Sequence, residues 1–272
     1  MRKYDLRANK RFGQNFLVDD EILQGIIESA NLSDNDIVIE IGPGLGNLTE
    51  YMLKRARFVI AVEIDSNMMR VLKDRFKENE KINIINEDIL KIDINNLIEK
   101  VKIENNIKDG KVKVIANLPY YITTPILMKL IDSGLNFLKI VMMVQEEVGE
   151  RFSATPGKKA YSSITVFLNY YYEIKRLFKV NRSEFIPVPN VDSEVIMLTS
   201  REDKIALKNK DLFFEFVRAS FQYKRKNLRN NLKKYDLKKI EEVLVKYGYS
   251  LNSRAEEIPV NVFAEISNSL AD

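Results

Sequence analysis

The order of apolar and polar residues in the first half of the chain predicts short buried strands that alternate with amphipathic helices. The strand segments are nearly continuous apolar runs, a pattern typical of a parallel sheet that is covered on both faces. Each run ends at a polar or glycine-rich turn, after which a helical pattern begins. The five predicted strands are Asp36–Ile41, Phe58–Glu63, Ile82–Ile85, Val114–Ala116 and Phe137–Val144. This alternation predicts an α/β fold.

The pattern changes near residue 200. Ser163–Tyr171 and Val191–Ser200 are predicted as late strands, and the polar, charged segment Arg201–Lys210 as a linker. Helical periodicity follows the linker. The predicted helical segments are Leu212–Phe221, Asn227–Leu232, Leu237–Tyr247 and a last one from Pro259. We therefore expect two domains, residues 1–200 and a small all-α domain at 201–272.

Residues that can bind a ligand lie where three of the predicted strands end. Asp36–Ile41 runs into the turn Gly42-Pro43-Gly44-Leu45-Gly46, and the next two strands are followed by Glu63 and Asp88. Carboxylates in these places can accept hydrogen bonds from ribose hydroxyls and from an exocyclic amine. Asn47 stands where a dinucleotide fingerprint has its third glycine, and the Lys-Ser/Thr pair of a phosphate loop is absent, so nothing in the turn requires a pyrophosphate. A plain tight strand–helix connection remains an alternative for the turn alone.

The fourth predicted strand ends in the tetrapeptide Asn117-Leu118-Pro119-Tyr120. It offers an amide oxygen on Asn117, a backbone carbonyl on Leu118 and an aromatic ring on Tyr120. Two hydrogen-bond acceptors beside a ring suit an aromatic amine. Taken alone, the tetrapeptide is also compatible with an ordinary loop in which Pro119 ends the strand.

Composition excludes several kinds of chemistry. The 272 residues are 45% hydrophobic and 30% charged, which is typical of a globular protein, and they include no histidine and no cysteine. Ser-His triads, histidine bases, disulfides and metal sites with His or Cys ligands are therefore excluded. No apolar run approaches the roughly 18 residues of a membrane span, and the first residues lack the apolar core of a signal peptide. We expect a cytoplasmic protein with no membrane association.

Positive charge is concentrated in two segments, although the net charge is only +4. Eight basic residues and one acid lie between Lys224 and Lys239, and the first eleven residues hold five basic residues and one acid. Such segments suit a polyanion such as nucleic acid. Each alone is also typical of a solvated helix face or an unstructured tail.

Six ordered motifs resemble those of the ribosomal RNA adenine N6,N6-dimethyltransferases, over about residues 8–265. They are Gln14-Asn15-Phe16-Leu17, Glu40-Ile41-Gly42-Pro43-Gly44-Leu45-Gly46, Glu63-Ile64-Asp65, Glu87-Asp88, Asn117-Leu118-Pro119-Tyr120 and Phe185-Ile186-Pro187-Val188-Pro189-Asn190-Val191-Asp192-Ser193. The chain resembles the small-subunit branch, the kasugamycin dimethyladenosine transferases. In the related erythromycin-resistance methylases of large-subunit RNA, Ile typically replaces Leu118.

The resemblance implies a Rossmann-like fold with a mostly parallel seven-stranded sheet, S-adenosylmethionine as cofactor and 16S rRNA of the small ribosomal subunit, or its precursor, as substrate. Two adjacent adenosines in a loop near the 3′ end of the RNA would be dimethylated at N6. The implied cofactor-binding residues are Asn15, Leu17, Gly42, Gly44, Gly46, Glu63, Ile64, Asp88, Ile89 and Asn117. The implied catalytic residues are Asn117, Leu118, Pro119, Tyr120 and Phe185. The implied RNA-binding residues are Arg11, Lys158, Lys159, Tyr161, Lys224, Arg225, Lys226 and Arg229.

Within this scheme, the oxygens of Asn117 and Leu118 would accept the two N–H groups of the target amine, while Tyr120 and Phe185 would enclose the base. No resident metal is implied. Ser162-Ser163 departs from the family, which more often has Gly and a basic residue there. Alternative functions are large-subunit RNA methylation, an RNA-binding or assembly factor with a vestigial site, and a Rossmann dehydrogenase, which the glycine spacing disfavours. We expect a monomer.

Overall fold

The computed structural model describes residues 14–118 and 120–272, with the backbone alone for Tyr120. Its main sheet contains seven strands, which in chain order are β2 (Asp36–Ile41), β3 (Phe58–Glu63), β4 (Ile82–Asn86), β5 (Lys111–Asn117), β6 (Lys139–Gln145), β7 (Tyr172–Val180) and β9 (Ser193–Ser200). Their spatial order is β4-β3-β2-β5-β6-β9-β7. A separate two-stranded ladder pairs β1 (Phe16–Leu17) with β8 (Phe185–Ile186) in antiparallel orientation.

The first five strands of the main sheet are parallel, as their continuous apolar runs predict. Strand β2 pairs with β3 on one side and with β5 on the other. Strand β4 extends the sheet beyond β3, β6 extends it beyond β5, and only then does β9 pair antiparallel with β6. The chain thus changes direction across the sheet between β2 and β5, and this change opens a crevice at the carboxyl ends of the two strands.

Eleven helices connect or follow the strands in the described part of the chain, and the sheet carries helices on both faces. They are α1 (Asp20–Ala30), α2 (Asn47–Leu53), α3 (Ser66–Arg75), α4 (Ile94–Glu104), α5 (Thr123–Asp132), α6 (Glu146–Phe152), α7 (Ser163–Tyr171), α8 (Lys210–Ser220), α9 (Leu228–Asn231), α10 (Leu237–Lys246) and α11 (Val260–Leu270). Several begin at the capping residues that the sequence offers. Asp19, for example, accepts a hydrogen bond from the Ile22 N–H at 2.9 Å.

One predicted strand is wrong. Ser163–Tyr171 forms helix α7, and the strand of this region is the following segment, Tyr172–Val180, which the sequence did not predict. The β-branched and aromatic residues of α7 are buried over most of its length, so the helix lacks a polar face that would give it helical periodicity. Thr165 marks its start, because its hydroxyl accepts from the Ser162 N–H at 3.1 Å and donates to the Arg151 carbonyl at 2.7 Å.

Two compact units share the chain. The first unit comprises residues 1–149 and 175–200, of which 14–118 and 120–149 are described in its N-terminal part, and the second comprises Glu150–Ile174 and Arg201–Asp272. A change of unit at residue 201 was expected; the inclusion of residues 150–174 with the later helices was not. The predicted linker is fastened within the second unit, since Asn268 accepts from the Lys208 N–H and donates to the Ala206 carbonyl, both at 2.8 Å.

None of the helices in the described ranges has both the length and the hydropathy needed to cross a membrane. The same residues contain no group of three or more acidic side chains arranged to hold a metal ion.

Candidate functional site

A cavity of about 270 Å³ lies in the first unit, at the carboxyl ends of the parallel strands. Its walls come from the ends of β2, β3 and β5, from the turn after β4, and from β1 and β8. It therefore occupies the crevice that the strand order creates. The predicted site residues that line it are Asn15, Leu17, Gly42, Gly44, Glu63, Ile64, Asp88, Ile89, Asn117, Leu118 and Phe185.

The glycine turn after β2 forms the floor of the cavity. Gly42 and Gly44 have φ angles of 70° and 57°, in the left-handed region that glycine adopts without strain. A Cβ on Gly44 would lie 3.0 Å from the ring of Phe16, which packs over the turn. A Cβ on Gly42 would lie 3.7 Å from the backbone oxygen of Asn117. The glycine turn and the end of β5 are thus close neighbours, and the absence of side chains at the two glycines leaves the backbone open to a ligand.

Glu63 joins the glycine turn to the end of β3. Its Oε2 accepts from the Gly44 N–H at 3.0 Å and its Oε1 from the Asp65 N–H at 2.8 Å. Burial raises the pKa of the Glu63 carboxyl, and the backbone donors partly oppose that shift. Since each carboxylate oxygen has two lone pairs, both can still accept from a ligand hydroxyl.

Asp88 follows β4, and its Oδ1 accepts from the Leu90 N–H at 3.0 Å, which holds the carboxylate at the cavity wall. The apolar side chains of Ile64 and Ile89 line the same part of the cavity. A wall that combines these apolar side chains with the Asp88 carboxylate suits a flat apolar ring that has a polar edge.

The charges around the cavity have one sign. Among the described residues, Glu40, Glu63, Glu87 and Asp88 line it, and no lysine or arginine does. Glu40 is fully buried below the glycine turn, where its carboxyl accepts a hydrogen bond from the Thr49 hydroxyl. Burial raises the pKa of Glu40 to about 8. Glu40 is therefore mostly protonated at neutral pH, and the negative charge of the cavity comes from its other carboxyl groups. A cavity lined by these groups and by no basic side chain disfavours a pyrophosphate and suits a ligand with positive charge.

The turn after β5 forms the opposite wall. Asn117 is the last residue of β5, next to Met143 of β6, and Leu118 is buried. The side-chain amide of Asn117 has no hydrogen-bond partner within residues 14–118 and 120–272, so its oxygen is available to a ligand. Pro119 and the side chain of Tyr120, both predicted to be catalytic, lie outside the described residues.

The ladder of β1 and β8 closes the cavity from a third side. Leu17 pairs with Phe185 in its register, and both side chains are buried in the apolar core of the first unit. The ladder brings the predicted cofactor residues Asn15 and Leu17 beside the predicted base-binding residue Phe185. The sequence alone did not predict this proximity, since the two strands are about 170 residues apart.

Gly46 does not line the cavity, although it was predicted to bind the cofactor. Its φ angle is 80°, and a Cβ there would lie 2.6 Å from the ring of Phe76 at the end of α3. Its observed role is the close packing of α2 on α3. Sequence reasoning missed Phe16 and Tyr121, both of which line the cavity. Both are aromatic residues adjacent in sequence to predicted site residues, and this was the signal that could have identified them.

The predicted RNA-binding residues that the structure describes lie in the second unit. Lys158 and Lys159 are exposed in the loop before α7; Lys224, Arg225, Lys226 and Arg229 are exposed between α8 and the end of α9. Arg11 lies outside the described residues.

Asn231 holds the basic turn between α8 and α9 in shape. Its Nδ2 donates to the Ser220 carbonyl at 2.8 Å and to the Tyr223 carbonyl at 3.3 Å, while its Oδ1 accepts from the Tyr223 N–H at 3.2 Å. Tyr223 itself is 59% exposed beside Lys224. The turn therefore presents an aromatic ring and positive charges on an ordered backbone.

Tyr161 was predicted to bind RNA, but only 1% of it is exposed. Its hydroxyl donates to the Ile258 carbonyl at 3.0 Å, and its ring centroid lies 6.1 Å from that of Phe221. Because Lys158–Lys159 and Lys224–Lys226 are close in sequence to these two rings, Tyr161 connects the two basic segments instead of forming part of their surface.

Comparisons with known proteins find relatives that cover nearly the whole chain. A family model described as "Ribosomal RNA adenine dimethylase" matches residues 5–272. The chain is 42% identical to ribosomal RNA small subunit methyltransferase A of Streptococcus pneumoniae strain JJA, over 99% of this chain and 94% of that protein. It is 40% identical to the protein of the same name from Clostridium botulinum, over 100% of this chain and 97% of that protein.

Two solved structures share most of the fold. A dimethyladenosine transferase from Plasmodium falciparum matches with a TM-score of 0.77 and 29% identity, over 92% of this chain and 95% of that one. The 23S rRNA methyltransferase ErmE matches with a TM-score of 0.72 and 24% identity, over 95% of this chain and 100% of that one.

Proposed function

The chain belongs to the ribosomal RNA adenine dimethylase family, and from this premise we propose that it dimethylates N6 of two adjacent adenosines in a loop near the 3′ end of 16S rRNA. The methyl donor would be S-adenosylmethionine, and the substrate the small ribosomal subunit or its precursor in the cytoplasm. We further propose that the protein acts as a monomer, with catalysis in the first unit and RNA binding in the second, which includes Glu150–Ile174 in addition to the predicted helical domain 201–272.

The observation that carries the proposal is the sign of the charges in the cavity. Four carboxyl groups line it, of which Glu40 is mostly protonated at neutral pH because burial raises its pKa to about 8. The negative charge comes from the other three, and no basic side chain lines the cavity within the described residues. S-adenosylmethionine carries a sulfonium and an ammonium group, whereas a dinucleotide carries a pyrophosphate that this site would repel. The cavity also opens at the end of β5, where the Asn117 amide is available.

The residues of the cavity fit the parts of this cofactor. The positive-φ backbone at Gly42 and Gly44 would allow its amino-acid and ribose parts to approach closely. Glu63 would accept from the ribose hydroxyls and Asp88 from the adenine amine, with Ile64 and Ile89 against the faces of the ring. When bound, the cofactor supplies an electrophilic methyl group on a good leaving group.

The protein would act mainly on the nucleophile. The lone pair of an adenine amino nitrogen is delocalised into the ring. In the first transfer, two acceptors, the Asn117 side-chain oxygen and the Leu118 carbonyl, would each bind one N–H and favour the pyramidal form of the nitrogen; in the second, one of them would bind the remaining N–H. They would also stabilise the positive charge that develops there during attack, and after each transfer the nitrogen would release one proton to water. Since the chain contains no histidine, no imidazole base takes part, and this activation requires no base before attack.

Aromatic walls would hold the base. Phe185 lies in the cavity wall with its ring almost fully buried, and Tyr121, which is 63% exposed, stands at the mouth. Stacking on Tyr120 remains a prediction. Base stacking of this kind contributes about 1–3 kcal/mol per base. Because a stacked adenine hides its amine, the target must lie in a loop or be turned out of a helix.

The exposed basic residues of the second unit would bind the RNA backbone. Lys158, Lys159, Lys224, Arg225 and Lys226 have no ion-pair partner among the described residues, so their charges are available to phosphates. Arg229 lies 3.9 Å from Glu241, a distance at which the attraction is weak at an exposed site. Contacts of this kind orient RNA without reading its sequence.

The test is transfer of labelled methyl groups from S-adenosylmethionine to undermethylated small and large ribosomal subunits, with the adenosine products separated by chromatography. We expect N6,N6-dimethyladenosine in small-subunit RNA only, at two adjacent positions when the RNA is mapped. Label in large-subunit RNA alone would move the protein to the resistance methylases. Absence of label in both, with cofactor bound, would favour an assembly factor.

A further inference from the structure

Two side-chain amides hold the segment 14–18 over the cavity. Gln14 Nε2 donates to Asp65 Oδ2 at 2.8 Å, and Asn47 Nδ2 donates to the Leu17 carbonyl at 3.0 Å. Leu17 and Asn47 both line the cavity, and Asn47 is the first residue of α2, directly after the glycine turn. The bond between Asn47 and Leu17 therefore ties one wall of the cavity to its floor.

Asn47 is itself held by Arg75 at the end of α3. The guanidinium Nη1 donates to Asn47 Oδ1 at 3.0 Å and to the Leu45 carbonyl at 2.7 Å, and Nη2 donates to Glu50 Oε2 at 2.5 Å. Arginine is only a donor and a carbonyl only an acceptor, so the amide of Asn47 must turn its oxygen to Arg75 and its nitrogen to Leu17. The planar fork fixes the amide in this orientation.

The sequence makes this arrangement possible at two positions. Gly46 lets α2 pack closely on α3, because any Cβ there would clash with Phe76, and this packing brings Arg75 within reach of the glycine turn. Asn47 then occupies the place where a dinucleotide fingerprint has a glycine, which has no side chain to reach Leu17. The departure from that fingerprint thus has a definite chemical consequence.

We propose that Asn47 is a positioning residue of the cofactor site. Arg75 orients the Asn47 side chain, which donates to the Leu17 carbonyl, and this bond keeps the segment 15–17 closed against the glycine turn. Asn47 does not act on the reacting atoms. The inference rests on the proposed cofactor, since the closed segment would retain that ligand. The bond from the Val18 N–H to the Glu184 carbonyl, 3.2 Å long, reports whether the segment is closed.

The decisive variant is Asn47→Asp. It retains an oxygen acceptor for Arg75 and adds a negative charge at a helix start, where the helix dipole favours one. It removes the donor to Leu17 and sets a carboxylate against a carbonyl. Asn47→Ala removes both bonds. Asn105→Ala is the matched control, because Asn105 Nδ2 donates to the Val101 carbonyl at 2.9 Å in α4, away from the cavity.

Two measurements are made on each protein: hydrogen exchange of the Val18 amide without ligand, and the Kd for S-adenosylmethionine by calorimetry. We expect both Asn47 variants to exchange faster at Val18 and to bind about 3- to 10-fold more weakly, the factor that loss of one hydrogen bond gives. The kcat at saturating cofactor should change less than the KM. Asn105→Ala should change neither the exchange rate nor the Kd.

Wild-type exchange at Val18 in Asn47→Asp would overturn the proposal, as would faster exchange with an unchanged Kd. If the wild-type protein bound no S-adenosylmethionine, the proposed function would fail first, and the inference with it. That failure would appear in the wild type, whereas failure of the inference alone appears only in the variants.

Discussion

The two units differ in where they place their charged side chains. In the first, carboxyl groups are withdrawn into a cavity; Glu40 and Glu63 are 1% and 4% exposed and are held by hydrogen bonds from a hydroxyl and from backbone amides. In the second, lysines and arginines stand in solvent on turns whose backbones are fixed by other groups, such as the side chain of Asn231. One arrangement suits a small cation enclosed by protein, and the other a long polyanion that touches the surface.

This difference predicts how each kind of binding responds to salt. Buried charges are screened little by mobile ions, whereas exposed charges more than about 10 Å apart are largely screened at 0.1 M ionic strength. Cofactor affinity should therefore vary little with salt, and RNA affinity should fall steeply as counterions are released.

The largest effect is expected for Asn117→Ala. Loss of the amide oxygen removes one of two acceptors for the target amine, and loss of a single preorganised group of this kind lowers kcat by about 100- to 1000-fold. The Kd for S-adenosylmethionine should stay within about twofold, because Glu63, Asp88 and the glycine turn remain. Single-turnover methyl transfer and calorimetry measure the two quantities. A parallel loss of both would mean that Asn117 acts in cofactor binding and not on the nucleophile.

The next effect concerns the exposed basic turn. Replacement of Lys224, Arg225 and Lys226 by Gln should weaken RNA binding about 10-fold or more at low salt. It should also reduce the slope of log K against log salt by about 2, since three phosphate contacts at about 0.7 each are lost. Cofactor affinity should not change.

A control for that experiment removes the same charge from the first unit. Lys54, Lys77 and Lys100 are exposed there, with side chains 63%, 66% and 66% accessible. Their replacement by Gln should leave the salt slope nearly unaltered. Equal slopes for the two triple variants would show that the RNA responds to total charge and not to the second unit.

A third effect concerns the stability of the acidic cavity. Burial raises the pKa of Glu40 to about 8 from an ordinary value of 4.5, and the hydrogen bond from Thr49 opposes this only in part. Between these pH values the folded protein binds a proton that the unfolded chain does not, so Glu40 makes stability fall as pH rises. Glu40→Gln should remove this dependence. Relative to the wild type, its free energy of unfolding should rise by up to about 1.4 kcal/mol per pH unit from about pH 4.5 to 8.

Denaturant titrations at several pH values measure that gain. Glu78→Gln, at an 87% exposed side chain of the same unit, should run parallel to the wild type. Neighbouring Glu63, whose pKa is also raised, is present in all three proteins and largely cancels in the differences. A constant difference between Glu40→Gln and the wild type would mean that Glu40 remains ionised in the folded protein.

The sequence predicted the first unit better than the second, for a physical reason. A parallel strand is a local apolar run, and β2 and β3 have the predicted bounds. Helix α7 is buried over most of its length, so its composition pointed to a strand and its periodicity gave no correction. The residues at the strand ends that line the cavity could be predicted, because the carboxyl ends of parallel strands share one edge of the sheet. The pairing of Leu17 with Phe185 and the packing of Gly46 on Phe76 depend on distant segments, and no local pattern encodes them.

The smallest effect tests whether Tyr161 is a buried structural residue or a residue that contacts RNA. Tyr161→Phe removes the hydroxyl that donates to the Ile258 carbonyl but keeps the ring against Phe221. The lost hydrogen bond should lower the free energy of unfolding by about 1 kcal/mol. Since Tyr161 is only 1% exposed, the RNA affinity and its salt slope should stay within about twofold of the wild type. Tenfold weaker RNA binding at unchanged stability would instead mean that Tyr161 contacts the RNA. The expected result would show that the exposed basic residues bind the RNA, whereas the buried ring of Tyr161 only stabilises the fold that carries them.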